Sequence, residues 1–270
     1  MSKLNIFSRE NRILLRELSK TDFKLRYQGS VLGYAWAVLR PMLLFLILYV
    51  VFDRIMNFGA GIPHYPVYLL CGTIVWSFFT ECTNMGIQAI VMRGDLIRKL
   101  NFPKWIIVIA TTSTALINLS INLVVLVVFS LINGVSPSLT WLLVPFSIIE
   151  LYALALGVSF ALGSINVKYR DIGSIWDILI QALFYCAPII YPVSMVAGKS
   201  AIAAKIILLN PIAQTIQDVR HNLITDTTIT TWNYCNSWLL CLIPIAIVII
   251  VMILGSLYFR KKSKYFAEEV

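Results

Sequence analysis

Six separate runs of this chain are apolar and close to twenty residues or longer. A helix rises about 1.5 Å per residue, so roughly 20 residues cross a hydrocarbon layer about 30 Å thick. The runs are about Trp36–Met56, Pro66–Met92, Trp105–Ile132, Leu139–Ile165, Trp176–Tyr191 and Trp238–Phe259. No soluble architecture needs six such segments in one chain. Composition agrees: 59% of the 270 residues are hydrophobic and 13% charged, against about 25% charged in soluble domains. The expectation is an all-α integral membrane protein with six transmembrane helices. Disorder, coiled coil, collagen and a disulfide scaffold are excluded by the same balance. The cysteines (Cys71, Cys82, Cys186, Cys235, Cys241) show no metal or redox spacing and read as small apolar fillers.

The basic residues give the orientation. Of 22 lysines and arginines, 17 lie in four places. The N-terminal segment holds Lys3, Arg9, Arg12, Arg16, Lys20, Lys24 and Arg26, and the loop after the second run holds Arg93, Arg98, Lys99 and Lys104. Lys168 and Arg170 follow the fourth run, and Arg260, Lys261, Lys262 and Lys264 form the tail. Asn57–Tyr65 and Asn133–Thr140 have none, and Pro192–Ser237 holds only Lys199, Lys205 and Arg220. Both termini are therefore expected in the cytoplasm. A net charge of +9 so distributed reads as attraction to anionic lipid headgroups rather than nucleic acid.

Two segments depart from plain spans. Ser8–Tyr27 alternates Ile13, Leu14, Leu18, Phe23 and Leu25 with cations, the pattern of a helix lying in the headgroup plane. Packing on a soluble partner is the alternative. Gly29 and Gly33 loosen the chain after it, and Arg40-Pro41 fits a first-turn proline. The fifth run is broken by Pro188 and Pro192, which lipid-facing backbone does not tolerate unless other groups take up the freed carbonyls. Ala201–Gln217 is apolar yet short and reads as re-entrant or interfacial, giving a re-entrant region over about 188–220.

No catalytic constellation is present. His64 and His221 lack a second ligand at helical spacing, so no metal site is expected. Ala197-Gly198-Lys199-Ser200 ends like a phosphate loop, but Val193 stands where its first glycine belongs. Glu81 and Glu150 lie inside apolar runs, where a charge faces a bundle interior or a watery path. Asn84, Gln88, Asn118, Asn122 and Gln181 accompany them, either as interhelical glue worth about 0.6 kcal/mol each or as path lining. Trp36, Trp105, Trp141, Trp176 and Trp238 fall at run ends, as an interface belt does. Trp76, Phe78, Phe79, Phe184 and Tyr185 lie deeper. They suit core packing or stacking on the C–H face of a sugar. The loop Met92–Lys104 holds a short amphipathic stretch with Leu96, Leu100 and Phe102 among cations, before Pro103. It reads either as a plain positive-inside loop or as a stiff piece that docks on a soluble partner.

These residues carry a resemblance. Asp22-Phe23-Lys24-Leu25-Arg26-Tyr27, Gly29-Ser30-Val31-Leu32-Gly33-Tyr34-Ala35-Trp36 and Arg40-Pro41 open it. Arg98-Lys99-Leu100-Asn101-Phe102-Pro103, Tyr169-Arg170-Asp171-Ile172, Pro188-Ile189-Ile190-Tyr191-Pro192 and Leu209-Asn210-Pro211 continue it. In that order and spacing, over essentially the whole chain, it resembles the permease subunit of ABC-2-type exporters of bacterial surface polysaccharides. Those exporters handle O-antigen, teichoic acid, capsule and rhamnose-rich cell-wall polymers. The opening stretch and Arg93–Phe102 are most similar to Gram-positive rhamnan exporters.

The resemblance implies a homodimer clasped by two copies of a separate ABC ATPase, in the bacterial plasma membrane, moving a lipid-linked glycan. Residues 1–35 would be a cytoplasmic gate segment, 36–259 the transmembrane domain and 260–270 a basic tail. Lys24, Arg26, Tyr27 and Arg40 would meet the substrate headgroup. Arg93, Asp95, Arg98, Lys99, Leu100, Phe102 and Pro103, with Arg170 and Asp171, would contact the ATPase. Trp76, Phe79, Glu81, Asn84, Phe184, Tyr185 and Tyr191 are the candidates for lining the path. The chain would not be an enzyme and would carry no cofactor, ATP and magnesium belonging to the partner. The competing expectations are an ABC-2 exporter of small molecules or lipids, an ion-coupled secondary transporter using Glu81, and a membrane transferase. The transferase would need clustered acids, and Asp95, Asp171 and Asp177 are sparse.

Overall fold

The computed structural model describes residues 9–59, 61–235 and 237–269. Lys3 and the first eight residues of the expected gate segment lie outside them, as does Val270 of the tail. The described residues form helices and connections without a strand. The helices are α1 (Arg9–Tyr27), α2 (Trp36–Tyr49), α3 (Tyr65–Met92), α4 (Gly94–Lys99), α5 (Trp105–Ile132), α6 (Val144–Lys168) and α7 (Ile172–Cys186). They continue with α8 (Val193–Ala197), α9 (Ala201–Leu208), α10 (Pro211–Leu223), α11 (Thr231–Tyr234), α12 (Trp238–Lys262) and α13 (Phe266–Glu269).

Four segments are long and apolar enough to cross a membrane: Gly33–Ile55, Trp105–Ile132, Leu139–Lys168 and Trp238–Lys262. Helix α3 has ample length, at 28 residues or about 42 Å, but it is more polar. The reason is its position. It is the inner post of the bundle, packed between α5 and α6 with α2, α7 and α10 around it, and its residues are buried along nearly the whole length. Its polar side chains meet partners within the bundle: Glu81 and Asn84 reach neighbouring helices, and buried Thr83 donates to the Phe79 carbonyl and accepts from Trp176 Nε1.

Two local expectations are corrected. Pro41 is not in a first turn: helical backbone starts at Gly33, and Pro41 sits inside α2. The carbonyl its ring leaves without a partner, four residues back at Ala37, accepts instead from Asn122 Nδ2 of α5 at 3.0 Å. The run expected to extend from Trp176 to Tyr191 ends as helix at Cys186, because Pro188 forces Ala187 into extended backbone (φ −83°, ψ 143°). At 15 residues, or about 22 Å, α7 is short for a span. Helix α12 runs on to Lys262, and the segment expected as a basic tail holds the short helix α13. Phe266 is fully buried against Phe259, in one cluster with Ile97 of α4 and Val167.

Glycine sets the closest helix crossing. A Cβ on Gly255 of α12 would collide with the carbonyl of Gly157 in α6, and one on Gly157 would meet the Met252 backbone at 2.8 Å. Small residues at such a crossing let two backbones touch.

Candidate functional site

Helix α1 opens the site. Its apolar Leu14, Leu15 and Leu18 turn towards α5, while Ile13 and Leu25 stay exposed. The three leucines pack on Ile106 and Ala110 of α5, with Leu96 and Trp105 at the edge. Gly29 (φ 81°) and Gly33 (φ 47°) then adopt left-handed backbone, a conformation costly for other residues. They turn the chain sharply from α1 into α2.

That turn places the end of α1 beside the middle of α3. The guanidinium of Arg26 pairs with the Glu81 carboxylate, which also accepts from Asn118 Nδ2 at 2.6 Å. Tyr27 donates its hydroxyl to Asn118 Oδ1 at 2.9 Å. Burial raises the Tyr27 phenol above its usual value, so it remains a donor. Asn122, one turn further on α5, donates to the Asn118 and Ala37 carbonyls. A carboxylate inside an apolar run is thus met by one cation and one amide, which offsets much of its desolvation.

The network forms one wall of a cleft of about 530 Å³. Arg26, Tyr27, Arg40, Trp36, Trp76, Glu81, Asn84, Asn118 and Asn122 line it. Four expected headgroup residues and seven expected path residues therefore separate. Arg26, Tyr27, Arg40, Trp76, Glu81 and Asn84 converge on the cleft, with Asn84 also donating to Asp177 of α7 at 3.2 Å. Lys24 is exposed on α1 and outside it. Phe79 is buried against Trp76 and Trp176, and Phe184 packs on Trp76. Tyr185 is largely exposed, while Tyr191 donates to the carbonyls of Tyr185 and Cys186 at the break after α7. Arg40 forms no ion pair among the described residues. Its charge and the aromatic walls suit an anionic group with an apolar face beside it.

Residues 13–224, a stretch holding most of α1 and this whole cleft, match the family described as ABC-2 type transporter. The chain belongs to the ABC-2 transporter family. It is 31% identical over 204 residues to the O-antigen export system permease protein RfbA of Klebsiella pneumoniae, covering 75% of this chain and 77% of that protein. It is 32% identical to the protein of the same name from Myxococcus xanthus, over 73% of this chain and 75% of the relative. Against the polysialic acid transport protein KpsM of Escherichia coli the identity is 25%, over 67% and 70% of the two chains.

In this ABC-2 chain the loop between α3 and α5 holds α4. Arg93 caps it and pairs with Asp22 of α1. Asp95 and Arg98 pair at 3.2 Å in water, Ile97 is buried and Leu100 is exposed. Phe102 packs into the cluster that holds Phe266, and Pro103 accepts from Ile106 N as α5 begins. Lys99 is exposed. Arg170 and Asp171 fall in the exposed turn between α6 and α7.

Sequence reasoning missed Arg220. It stands as an ordinary cation of a long outer segment, yet its side chain is fully buried. Its guanidinium donates to the carbonyls of Tyr68 (3.0 Å), Pro188 (2.5 Å) and Ile189 (2.7 Å) and to Gln217 Oε1 (2.9 Å). Tyr65 donates to Ile190 O. The broken end of α7 is thus taken up by donors on α10 and α3. The signal was present in part: two prolines promise freed carbonyls, and a cation on a helix flanked by Val219 and Leu223 is a donor available to them. The glycine-lysine-serine that mimics a phosphate loop proves to be a helix cap, Ser200 Oγ accepting from Ala203 N at 3.3 Å. Asn210 likewise caps α10, accepting from Ile212 N at 3.0 Å with Pro211 in the first turn.

Proposed function

We propose that this chain is the permease subunit of an ATP-driven exporter that moves a lipid-linked surface polysaccharide out across the bacterial plasma membrane. What carries the reading is the likeness to two O-antigen export permeases and a polysialic acid transport protein, together with a family match whose residues 13–224 span the cleft. The cleft suits such a cargo: Arg40 and Arg26 attract a pyrophosphate-type headgroup, and Trp36, Trp76 and Tyr27 offer rings to the first sugars. O-antigen, teichoic acid and rhamnose-rich polymers all present these two features.

In this reading the bundle has six spans, α3 and α7 joining the four longer ones, with both termini in the cytoplasm. Helices α8 to α10 form the outer region into which the path opens. Two copies of the chain form a duct, and two ABC ATPase subunits seat on α4 and on the turn at Arg170 and Asp171. ATP and magnesium act on those subunits, and the permease itself catalyses nothing. Its task is to hold two arrangements that the partners bias by their differing contacts. The test is to replace the phosphate-loop lysine of the co-purifying ATPase. Loss of surface polymer, with this chain still in the membrane, supports the reading; undiminished export contradicts it.

A further inference from the structure

Asp22 and Arg26 stand four residues apart on α1 and so share one face. That face meets α3 twice, with the charges crossed. Asp22 pairs with Arg93, the residue at which α3 ends and α4 begins, and accepts from Thr111 of α5 at 3.2 Å. One turn later Arg26 pairs with Glu81 inside α3, and Tyr27 donates to Asn118, seven residues after Thr111 on α5. An acid of α1 thus meets a base of α3, and a base of α1 meets an acid of α3.

Crossed charges remove sliding. Moving α1 one turn along this groove brings Asp22 towards Glu81 or Arg26 towards Arg93, and like charges brought together at partly buried positions are repelled. The helix therefore has a docked position and a released one, with no stable register between, which is the property of a two-state element. Arg93 links that element to α4. Further along α4, buried Ile97 shares a cluster with Phe266 and Phe259, so α4 is braced against α13 while the residue just before it, Arg93, holds α1.

We propose that the Asp22–Arg93 pair is a clasp that keeps α1 docked over the cleft, and that displacement of α4 opens it. Release of Asp22 frees the helix that also carries Arg26, so Glu81 and the cleft are uncovered together. This rests on the permease reading above, in which a partner ATPase moves α4. Asp22 and Arg93 are positioning residues here, since neither lines the cleft.

The experiment uses the full exporter complex with two kinds of variant. In the first, Asp22→Arg and Arg93→Asp are made singly and together. Each single reversal is expected to lower export about tenfold, within the range of ordinary coupling energies. The double reversal is expected to return export to within about twofold of the native level. In the second, Asp22→Cys with Arg93→Cys is oxidised to a cross-link, which is expected to stop export until reductant restores it. A single reversal that accumulates normally and exports normally overturns the clasp, as does a cross-linked pair that exports at the native rate. If the charge variants fail to accumulate, the cross-link decides alone. Export by the native complex is the control: its absence contradicts the permease reading, whereas export through the cross-linked pair contradicts only the clasp.

Discussion

The guanidinium carbon of Arg220 lies 3.5 Å from the centre of the Tyr68 ring, while its Nε donates to the Tyr68 carbonyl. One arginine therefore joins α10 to α3 by both stacking and hydrogen bonding, and its two terminal nitrogens hold the Pro188 and Ile189 carbonyls. A planar fork with several fixed donors serves four acceptors at once, which an ammonium on a flexible stem does not.

Arg220→Met is expected to leave the buried Pro188 and Ile189 carbonyls without donors, at about 1–3 kcal/mol each, and to abolish accumulation of folded protein. Arg220→Lys is expected to rescue little. Tyr68→Phe keeps the ring and loses only the hydroxyl bond to Gln217, so its cost is expected near 1 kcal/mol. Thermal unfolding of the detergent-solubilised protein orders the three. A lysine variant as stable as the native chain contradicts this account.

The Asn122 amide and Pro41 form a second testable pair. Asn122→Ala removes the donor to Ala37 O and is expected to cost about 1–3 kcal/mol. Pro41→Ala returns a backbone N–H to that carbonyl, so the same Asn122→Ala change in the Pro41→Ala background is expected to cost less. A double-mutant cycle on thermal stability reads the difference; strictly additive effects mean that the amide does not serve this carbonyl.

The crossing of α6 and α12 has no room for a side chain at either glycine. Gly255→Leu is expected to separate the two helices and destabilise the bundle by at least about 1–3 kcal/mol, seen as a lower melting temperature and faster proteolysis. Gly173→Ala, where nothing lies within 4 Å of the added carbon, is the control and is expected to leave stability unchanged.

These cases mark what was legible from residues alone. Run length exposed the four long apolar helices because hydrocarbon thickness is a fixed ruler. Half of the cleft was legible for a similar reason: a carboxylate at Glu81, inside an apolar run, demands a partner. That the partner is Arg26 was not, since 55 residues and a glycine turn separate them in the chain. Arg220 stayed hidden because its burial is paid for by carbonyls about thirty residues upstream, which a local reading does not bring near it. The packing of α1 on α5 was missed because an amphipathic pattern shows that a face will be covered and not what covers it.

In the cleft, Arg40→Ala is expected to lower export several-fold while leaving the complex assembled, because, among the described residues, Arg40 holds no ion pair in the network around Glu81. Trp76→Ala also removes a buried ring on which Phe79 and Phe184 pack and is expected to lower export and stability together. Glu81→Leu removes a carboxylate that Arg26 and Asn118 both meet. It is expected to lower export and stability together, whereas Glu81→Gln keeps an acceptor and is expected to lie between. Surface polymer quantified alongside the membrane level of each variant separates the two effects.

The most direct measurement is made on a strain lacking this chain. Lipid-linked polysaccharide is quantified inside the cell and polymer is quantified on the surface, before and after the native chain is restored. The account predicts accumulation of the lipid-linked glycan at the cytoplasmic face and loss of surface polymer, both reversed on restoration. Unchanged surface polymer with no internal accumulation contradicts it.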